Sequence, residues 1–378
     1  MGRYFISLSL LISIMLFPFQ NGTAQELKAP VNRDPAFAGS FYPAQKSALE
    51  SQLQSLFSEA KPIKTQGKVQ TLIVPHAGYE YSGIVAASGY LSIPADTQYD
   101  NIFIIASSHR EQFSGASVYS AGNYLTPLGE AKVNRELALA LIEGNNNFQY
   151  LAKAHDREHS IEVQIPYLQY HFKELPPIVP IVMGTSSLSA ARDLAAALLP
   201  WFTSDNLFII SSDFSHYPSY KDAQKIDKIT GDAILTKDPE IFYEALRSNS
   251  KQSMANLSTP SCGWSSIMSM LYMAKRIPNM ELSPVLYRNS GDSKIGDKNR
   301  VVGYWAIAGS ETPPQEQVFG LSEVEKQSLL HISRSTLESF IKTGELPQID
   351  PGMLTSTLIE PVGAFVTLHM GGRLRGCI

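Results

Sequence analysis

The stretch Leu207-Phe-Ile-Ile-Ser-Ser-Asp-Phe-Ser-His216 begins as an apolar run and then ends in serines, an aspartate and a histidine. An uninterrupted apolar run of this length is typical of a strand that is buried on both faces, as strands in parallel sheets are. Similar short runs rich in Ile and Val recur at Val69–Val74, Asn101–Ala106, Ile178–Met183 and Val301–Ala308. We therefore expect one buried, mostly parallel sheet.

Segments with apolar residues at three- and four-residue spacing lie around and between these runs, at Ala44–Leu56, Asn134–Glu143, Ser189–Phe202, Tyr220–Leu235 and Cys262–Lys275. That spacing predicts amphipathic helices. Strands that alternate with helices indicate an α/β fold, in which helices flank a mostly parallel central sheet.

The overall composition is that of a folded protein. The chain has 378 residues, of which 44% are hydrophobic and 17% charged, and its net charge is −4. A weakly acidic chain without basic clusters gives no reason to expect nucleic acid as a partner.

The pattern of residues 1–24 predicts a secretory signal peptide. Arg3 precedes an apolar run from Tyr4 to Phe19, and small residues surround a cleavage position after Ala24. The run is short for a membrane span and Pro18 interrupts it, so we expect export to the periplasm or the extracellular space and no stable membrane span.

Export would make the number of cysteines informative, because cysteines can form disulfides in an oxidising compartment. Cys262 and Cys377 are the two cysteines of the chain, too few for a fold built on disulfides, and they fall in separate predicted domains. We therefore expect no bridge between them. A free thiol in an oxidising compartment is best explained if it is buried or bound to a metal.

Three of the apolar runs end in side chains that can bind a metal or act in catalysis. Val69–Val74 is followed by His76, Asn101–Ala106 by His109, and Leu207–Ser211 by Asp213 and His216. Sites in open parallel sheets form outside the carboxyl ends of the strands, so we expect these side chains to meet at one edge.

Two further segments carry reactive residues. His155-Asp-Arg-Glu-His-Ser-Ile-Glu162 is dense in acids and imidazoles, and His159 there is predicted to supply supporting hydrogen bonds or to act in an acid/base pair. Cys262 precedes a predicted helix, a position that favours the thiolate.

Several imidazoles, an aspartate and a thiolate suit Fe(II), Zn(II) or copper. Two other interpretations remain open. One is a Cys–His hydrolase with Cys262 as nucleophile and His216 or His159 as base. The other is a binding module without turnover, whose groove is lined by aromatic residues among the polar motifs: Tyr79, Tyr81, Phe214, Tyr217 and Trp264.

The chain resembles the Memo family, also called AmmeMemoRadiSam system protein B, over residues 30–309. The motifs that carry the resemblance occur in order: Pro75-His-Ala-Gly-Tyr79, Ser107-Ser-His109, Glu158-His-Ser-Ile-Glu162, Ser211-Ser-Asp-Phe-Ser-His216, Ser261-Cys-Gly263 and Val302-Gly-Tyr304. This family is similar in fold to the class III extradiol dioxygenases of the LigB type, which use non-haem iron.

The resemblance implies that His76, His109 and Cys262 bind iron or copper, with Asp213 and His216 also lining the site. Cys262 stands where the dioxygenases have a carboxylate. What the resemblance implies is therefore a metal-binding, redox-active site and not an established reaction. We expect a metal-dependent, dioxygenase-like oxidoreductase whose partner is an unidentified small molecule or peptide.

The C-terminal part has a different pattern. After a linker at 310–320, Leu321–Phe340 predicts one long helix with a capping box at Ser322 and Glu325, and Gly363–Cys377 predicts a hairpin. Residues 321–378 resemble the start of an AMMECR domain, an incomplete α+β unit that follows the Memo-like domain at 25–309. A radical-SAM protein is the usual associate of these modules, but export argues against that partner because such enzymes are cytoplasmic.

Overall fold

A computed structural model describes residues 31–251, 256–312, 321–355, 357–359, 366–371 and 373–377. The chain divides into two compact units, Met1–Pro313 and Pro314–Ile378. The predicted signal peptide at 1–24 and most of the predicted linker at 310–320 lie outside the described residues. Within the described part of the chain, no helix is both long and apolar enough to span a bilayer.

The strands of the first unit are β1 (Val69–Val74), β2 (Asn101–Ser107), β3 (Ala116–Val118), β4 (Tyr124–Thr126), β5 (Gly129–Ala131), β6 (Phe148–Gln149), β7 (Ile178–Met183), β8 (Asn206–Ser211), β9 (Met280–Asn289) and β10 (Gly303–Glu311). Eight of them form one sheet in the order β6-β3-β7-β2-β8-β1-β10-β9, and β4 pairs with β5. The centre, β7-β2-β8-β1, is parallel, whereas β10 and β9 add to its edge as antiparallel strands.

The helices of this unit are α1 (Lys46–Glu59), α2 (Tyr79–Leu91), α3 (Arg135–Glu143), α4 (Ala152–Asp156), α5 (His159–Glu162), α6 (Ile165–His171), α7 (Leu188–Leu198), α8 (Tyr220–Leu235), α9 (Pro239–Lys251) and α10 (Trp264–Ala274). The predicted helix over 189–202 ends as an α-helix at Leu198. A short 3-10 turn follows, because Pro200 in that turn has no N–H to continue the α-helical ladder.

Two apolar layers cover the two faces of the sheet, and successive residues of each central strand point alternately into one or the other. Ile102 and Ile104 belong to one layer, and Phe103 and Ile105 to the other. Both faces of these strands are buried, which explains why their sequences are continuously apolar. The predicted α/β class, with helices on a mostly parallel central sheet, is confirmed.

The second unit contains α11 (Glu323–Thr343) and the antiparallel hairpin β11 (Thr367–Met370) and β12 (Arg373–Cys377). The capping box predicted at the start of α11 is present, since the Ser322 and Glu325 side chains each accept from the other's backbone N–H. Residues 363–365 and 372 of the predicted hairpin lie outside the described residues. The resemblance of this unit to an AMMECR domain stays a prediction.

Candidate metal centre

The carboxyl ends of β1, β8 and β2 lie side by side because these strands are parallel neighbours. His76 follows β1, His109 follows β2, and Asp213 follows β8 between them. The sheet thus presents two imidazoles and a carboxylate at one edge, as expected for an open parallel sheet.

His76 is the most buried of the predicted ligands, with 2% of its surface exposed. Its Nδ1 lies 2.9 Å from the Ser211 Oγ, and its Nε2 lies 3.2 Å from the Cys262 Sγ. Burial and the charge of nearby His109 hold the pKa of His76 well below its usual value. The ring is therefore neutral at physiological pH, the form that binds metals.

His109 is held by a buried carboxylate. Its backbone N–H donates to Glu158 Oε2 at 2.7 Å and its Nδ1 donates to Glu158 Oε1 at 2.9 Å. Burial lowers the pKa of His109, but hydrogen bonds with Cys262 and Glu158 outweigh burial and raise the pKa to about 10. Burial likewise opposes ionisation of Glu158, yet the bonds from His109 lower its pKa to about 2. The metal-free site thus holds a His109–Glu158 ion pair at neutral pH.

Cys262 lies two residues before the start of α10 and is a free thiol. The Asp213 carbonyl accepts a hydrogen bond from the Cys262 N–H at 3.3 Å and lies 3.6 Å from the Sγ. Burial raises the pKa of the thiol despite the neighbouring His109 charge. The expectation that the helix start favours the thiolate is therefore wrong for the metal-free protein, because tertiary packing removes more solvation than the helix end supplies. The Cys377 side chain lies outside the described residues.

One ligand atom from each of His76, His109 and Cys262 lies within 4.8 Å of the other two. Each Nδ1 already has a hydrogen-bonding partner, so the Nε2 atoms remain for an ion. Two imidazole nitrogens and one sulfur are a donor set suited to iron, zinc or copper. A second group, His109, Glu158 and His159, is equally close, but Glu158 already accepts hydrogen bonds from His109 and Ser160.

The residues predicted to be catalytic surround this group. Asp213 Oδ1 accepts from the His76 N–H at 2.8 Å, and its Oδ2 lies 4.0 Å from the His76 Nε2. Burial raises the pKa of Asp213, while the His216 charge acts in the opposite direction. His216 is half-buried and donates from Nδ1 to the Phe214 carbonyl at 2.8 Å.

His159 completes a group of three imidazoles. Its ring centre lies 4.6 Å from that of His109 and 5.2 Å from that of His76, and Phe41 packs against it at 4.7 Å. Burial and the charges of His76 and His109 lower the pKa of His159 to about 3. A neutral ring with so low a pKa is a weak base, so His159 is better suited to lining the site than to accepting a proton.

The two other interpretations receive different support from the geometry. The imidazoles in contact with Cys262 are His76 and His109, not the His216 or His159 expected for a Cys–His hydrolase. Of the aromatic residues expected to line a groove, Tyr79 and Phe214 belong to the core, whereas Tyr81 and Tyr217 are exposed.

Sequence reasoning missed several residues that support the site. Ser211 and Gln164 contact each other beneath His76, and Arg33 forms a buried ion pair with Glu162 at 2.7 Å behind α5. Gln164 is a polar residue between the apolar residues Val163 and Ile165, and this interruption of the apolar run could have marked it as a supporting residue. No signal in the sequence connected Arg33 to Glu162, because 128 residues separate them.

The family model described as "Memo-like protein" matches residues 33–308. The MEMO1 family protein Ta0237 of Thermoplasma acidophilum is 36% identical over 277 residues, which cover 73% of this chain and 98% of that protein. A MEMO1 family protein of Methanosarcina mazei is 37% identical over 279 residues, covering 73% of this chain and 98% of that protein. The crystal structure of the uncharacterized protein JW3007 from Escherichia coli K12 is similar with a TM-score of 0.40 at 12% identity, over 62% of this chain and 98% of that one. Through its first compact unit, the chain belongs to the Memo family.

Proposed function

We propose that the first unit binds one iron or copper ion through His76, His109 and Cys262 and uses it in oxidation–reduction chemistry on a small molecule or peptide. The observation that supports this most is the convergence of one ring nitrogen from each of His76 and His109 and the Cys262 sulfur within 4.8 Å. Iron or copper in this site would supply one-electron redox chemistry and Lewis acidity.

The chain's own residues have distinct roles in this proposal. Glu158 orients His109 and balances its charge, so that the ring keeps one direction in the absence of an ion. His216 is the best candidate to carry a proton, because its ring is half-buried and its Nδ1 is fixed on a carbonyl. Asp213 Oδ2 lies 4.0 Å from the His76 Nε2, so this carboxylate would be the acid/base group next to the ion.

Metal analysis of anaerobically purified protein tests this proposal. We expect about one ion per chain in the wild type and in Cys377→Ser, and a loss of most of the metal in Cys262→Ser. The two variants remove the same atom from the two cysteines of the chain, so they are matched. Equal metal in both variants would remove Cys262 from the site, and no metal in the wild type would refute metal binding.

Alkylation separates a metal ligand from a catalytic nucleophile. We expect iodoacetamide to label Cys262 slowly in the metal-loaded protein and faster after a chelator has removed the ion, because ligation occupies the sulfur. Rapid labelling in the metal-loaded protein would favour the Cys–His hydrolase instead. Oxygen uptake that requires the metal, measured with catechols and thiols, would distinguish an enzyme from a binding module.

We also propose that the protein is exported, on the strength of the basic, apolar and small-residue pattern at 1–24. Cell fractionation of the native host protein tests this directly. Recovery of the full-length chain, with residues 1–24 intact, in the cytoplasmic fraction would contradict it.

A further inference from the structure

The Ser211 hydroxyl lies directly beneath His76 and has three hydrogen-bonding partners. They are the Ser160 carbonyl at 2.7 Å, the Gln164 Nε2 at 2.8 Å and the His76 Nδ1 at 2.9 Å. Ser211, Gln164 and His76 are at most 2% exposed, so water does not compete for these bonds. A hydroxyl has one hydrogen to donate and two lone pairs to accept with, so three partners leave few arrangements.

The direction of two of these bonds follows from the partners. A carbonyl oxygen can only accept, so the Ser211 hydrogen points to Ser160. The Gln164 amide is fixed as well, because its Nε2 also contacts the Pro75 carbonyl at 2.9 Å and its Oε1 accepts from the Tyr90 hydroxyl at 2.8 Å. Turning the amide over would bring its oxygen against the Pro75 carbonyl oxygen. Gln164 therefore donates to Ser211.

The remaining lone pair of Ser211 must then accept from His76, which requires a hydrogen on Nδ1. A neutral imidazole carries one N–H, so the Nε2 of His76 keeps its lone pair. That Nε2 faces the Cys262 Sγ at 3.2 Å, on the side where His109 also lies. His109 has its Nδ1–H fixed by a carboxylate instead, at 2.9 Å from Glu158.

We propose that Ser211, oriented by Gln164, is a positioning residue that fixes His76 in the Nδ1–H tautomer and so directs the Nε2 lone pair into the site. This inference rests on the metal-binding function proposed above. A hydroxyl fixes the tautomer without adding a third buried carboxylate to Glu158 and Asp213, which already lie at the site.

The tautomer is measured in the metal-free wild type by ¹⁵N–¹H correlation NMR of the histidine rings, with the His76 signals assigned by their loss in His76→Gln. We expect a protonated Nδ1 and an unprotonated Nε2 at neutral pH. A hydrogen on Nε2 would overturn the proposal. This measurement needs neither a metal nor a variant of Ser211. It therefore shows which ring nitrogen of His76 carries the hydrogen even if the site binds no ion.

The role in binding is tested with Ser211→Thr and Ser211→Val, which add the same bulk but differ in the hydroxyl. We expect Ser211→Thr to keep the wild-type tautomer and an Fe(II) affinity within about threefold. Ser211→Val should give mixed tautomers and bind Fe(II) about 10- to 100-fold more weakly. Equal tautomers and equal affinities in the two variants would refute the positioning role. If neither variant folds, the wild-type spectrum alone tests the tautomer assigned to His76.

Discussion

Replacing Arg33 with Met tests whether the segment before α1 is held to the site by a buried charge. Arg33 is 4% exposed, and its Nη1 donates to Glu162 Oε2 at 2.7 Å. Its Nε also donates to the His155 carbonyl at 2.7 Å and its Nη2 to the Glu158 carbonyl at 3.2 Å. Methionine keeps most of the apolar stem and removes the charge and these donors.

The expected loss of stability in Arg33→Met follows from the buried groups that are left without their partner. Glu162 is fully buried and would keep its bonds from the Ala36 and Phe37 N–H groups and the Tyr42 hydroxyl, but its charge would lose its cation. Removing one partner of a buried ion pair costs about 3–5 kcal/mol in the free energy of unfolding. The four backbone carbonyls that lose a donor are included in that range, since measured values contain such losses.

Urea denaturation followed by circular dichroism measures the effect. The matched control is Arg247→Met, because the ion pair of Arg247 with Glu244 is exposed on both sides and should contribute less than about 1 kcal/mol. Adding Glu162→Gln to Arg33→Met should recover at least about 1 kcal/mol, since the unpaired charge is then removed. An Arg33→Met variant within about 1 kcal/mol of the wild type would refute the reasoning.

Three further predictions concern other parts of the first unit. Burial raises the pKa of Asp227 to about 7, so the folded state binds an extra proton between about pH 4 and 7. The free energy of unfolding should therefore fall by up to about 4 kcal/mol as the pH rises through that window; urea curves at several pH values should show this slope in the wild type and lose it in Asp227→Asn. Gly303→Ala should destabilise the protein by about 2–3 kcal/mol, because its Cβ would lie 1.7 Å from Asp227 Oδ2; a melting temperature equal to that of Gly376→Ala, where the Cβ meets open space, would contradict this. Uptake of one ion at pH 7 should release about two protons, from the Cys262 thiol and the His109 Nε2; a weakly buffered titration that shows no release would be inconsistent with these protonation states.

The sequence predicted those features of the fold and site that depend on local patterns. His76 and His109 stood out because each follows a continuously apolar strand. The helix α2 was missed because it is buried on nearly all sides, so its sequence shows no apolar stripe. The antiparallel direction of β10 was hidden for a related reason, since a strand buried on both faces has the same pattern in either direction.

Features that arise when distant segments pack together could not be predicted. The pKa of Cys262 follows from burial against Asp213 and His109, whereas the sequence shows only the nearby helix start. The role of Ser211 depends on Gln164 and Ser160, which approach it from a segment about 50 residues earlier in the chain. Nothing in the sequence around Ser211 indicates which neighbouring atoms its hydroxyl will form hydrogen bonds with.

The position of β1 in the sheet has a consequence for synthesis of the chain on the ribosome. Among the described strands β1 is the first to be made, yet its two neighbours are β8, where Thr71 pairs with Phe208, and β10, where Ile73 pairs with Ile307. More than 130 residues must therefore be translated before one edge of β1 can be paired, and more than 230 before both can. During that time β1 is an apolar strand with open edges, the kind of segment that chaperones bind and that aggregates when left exposed. Folding of the first unit is thus expected to be late and nearly all at once, after Glu311 has left the ribosome.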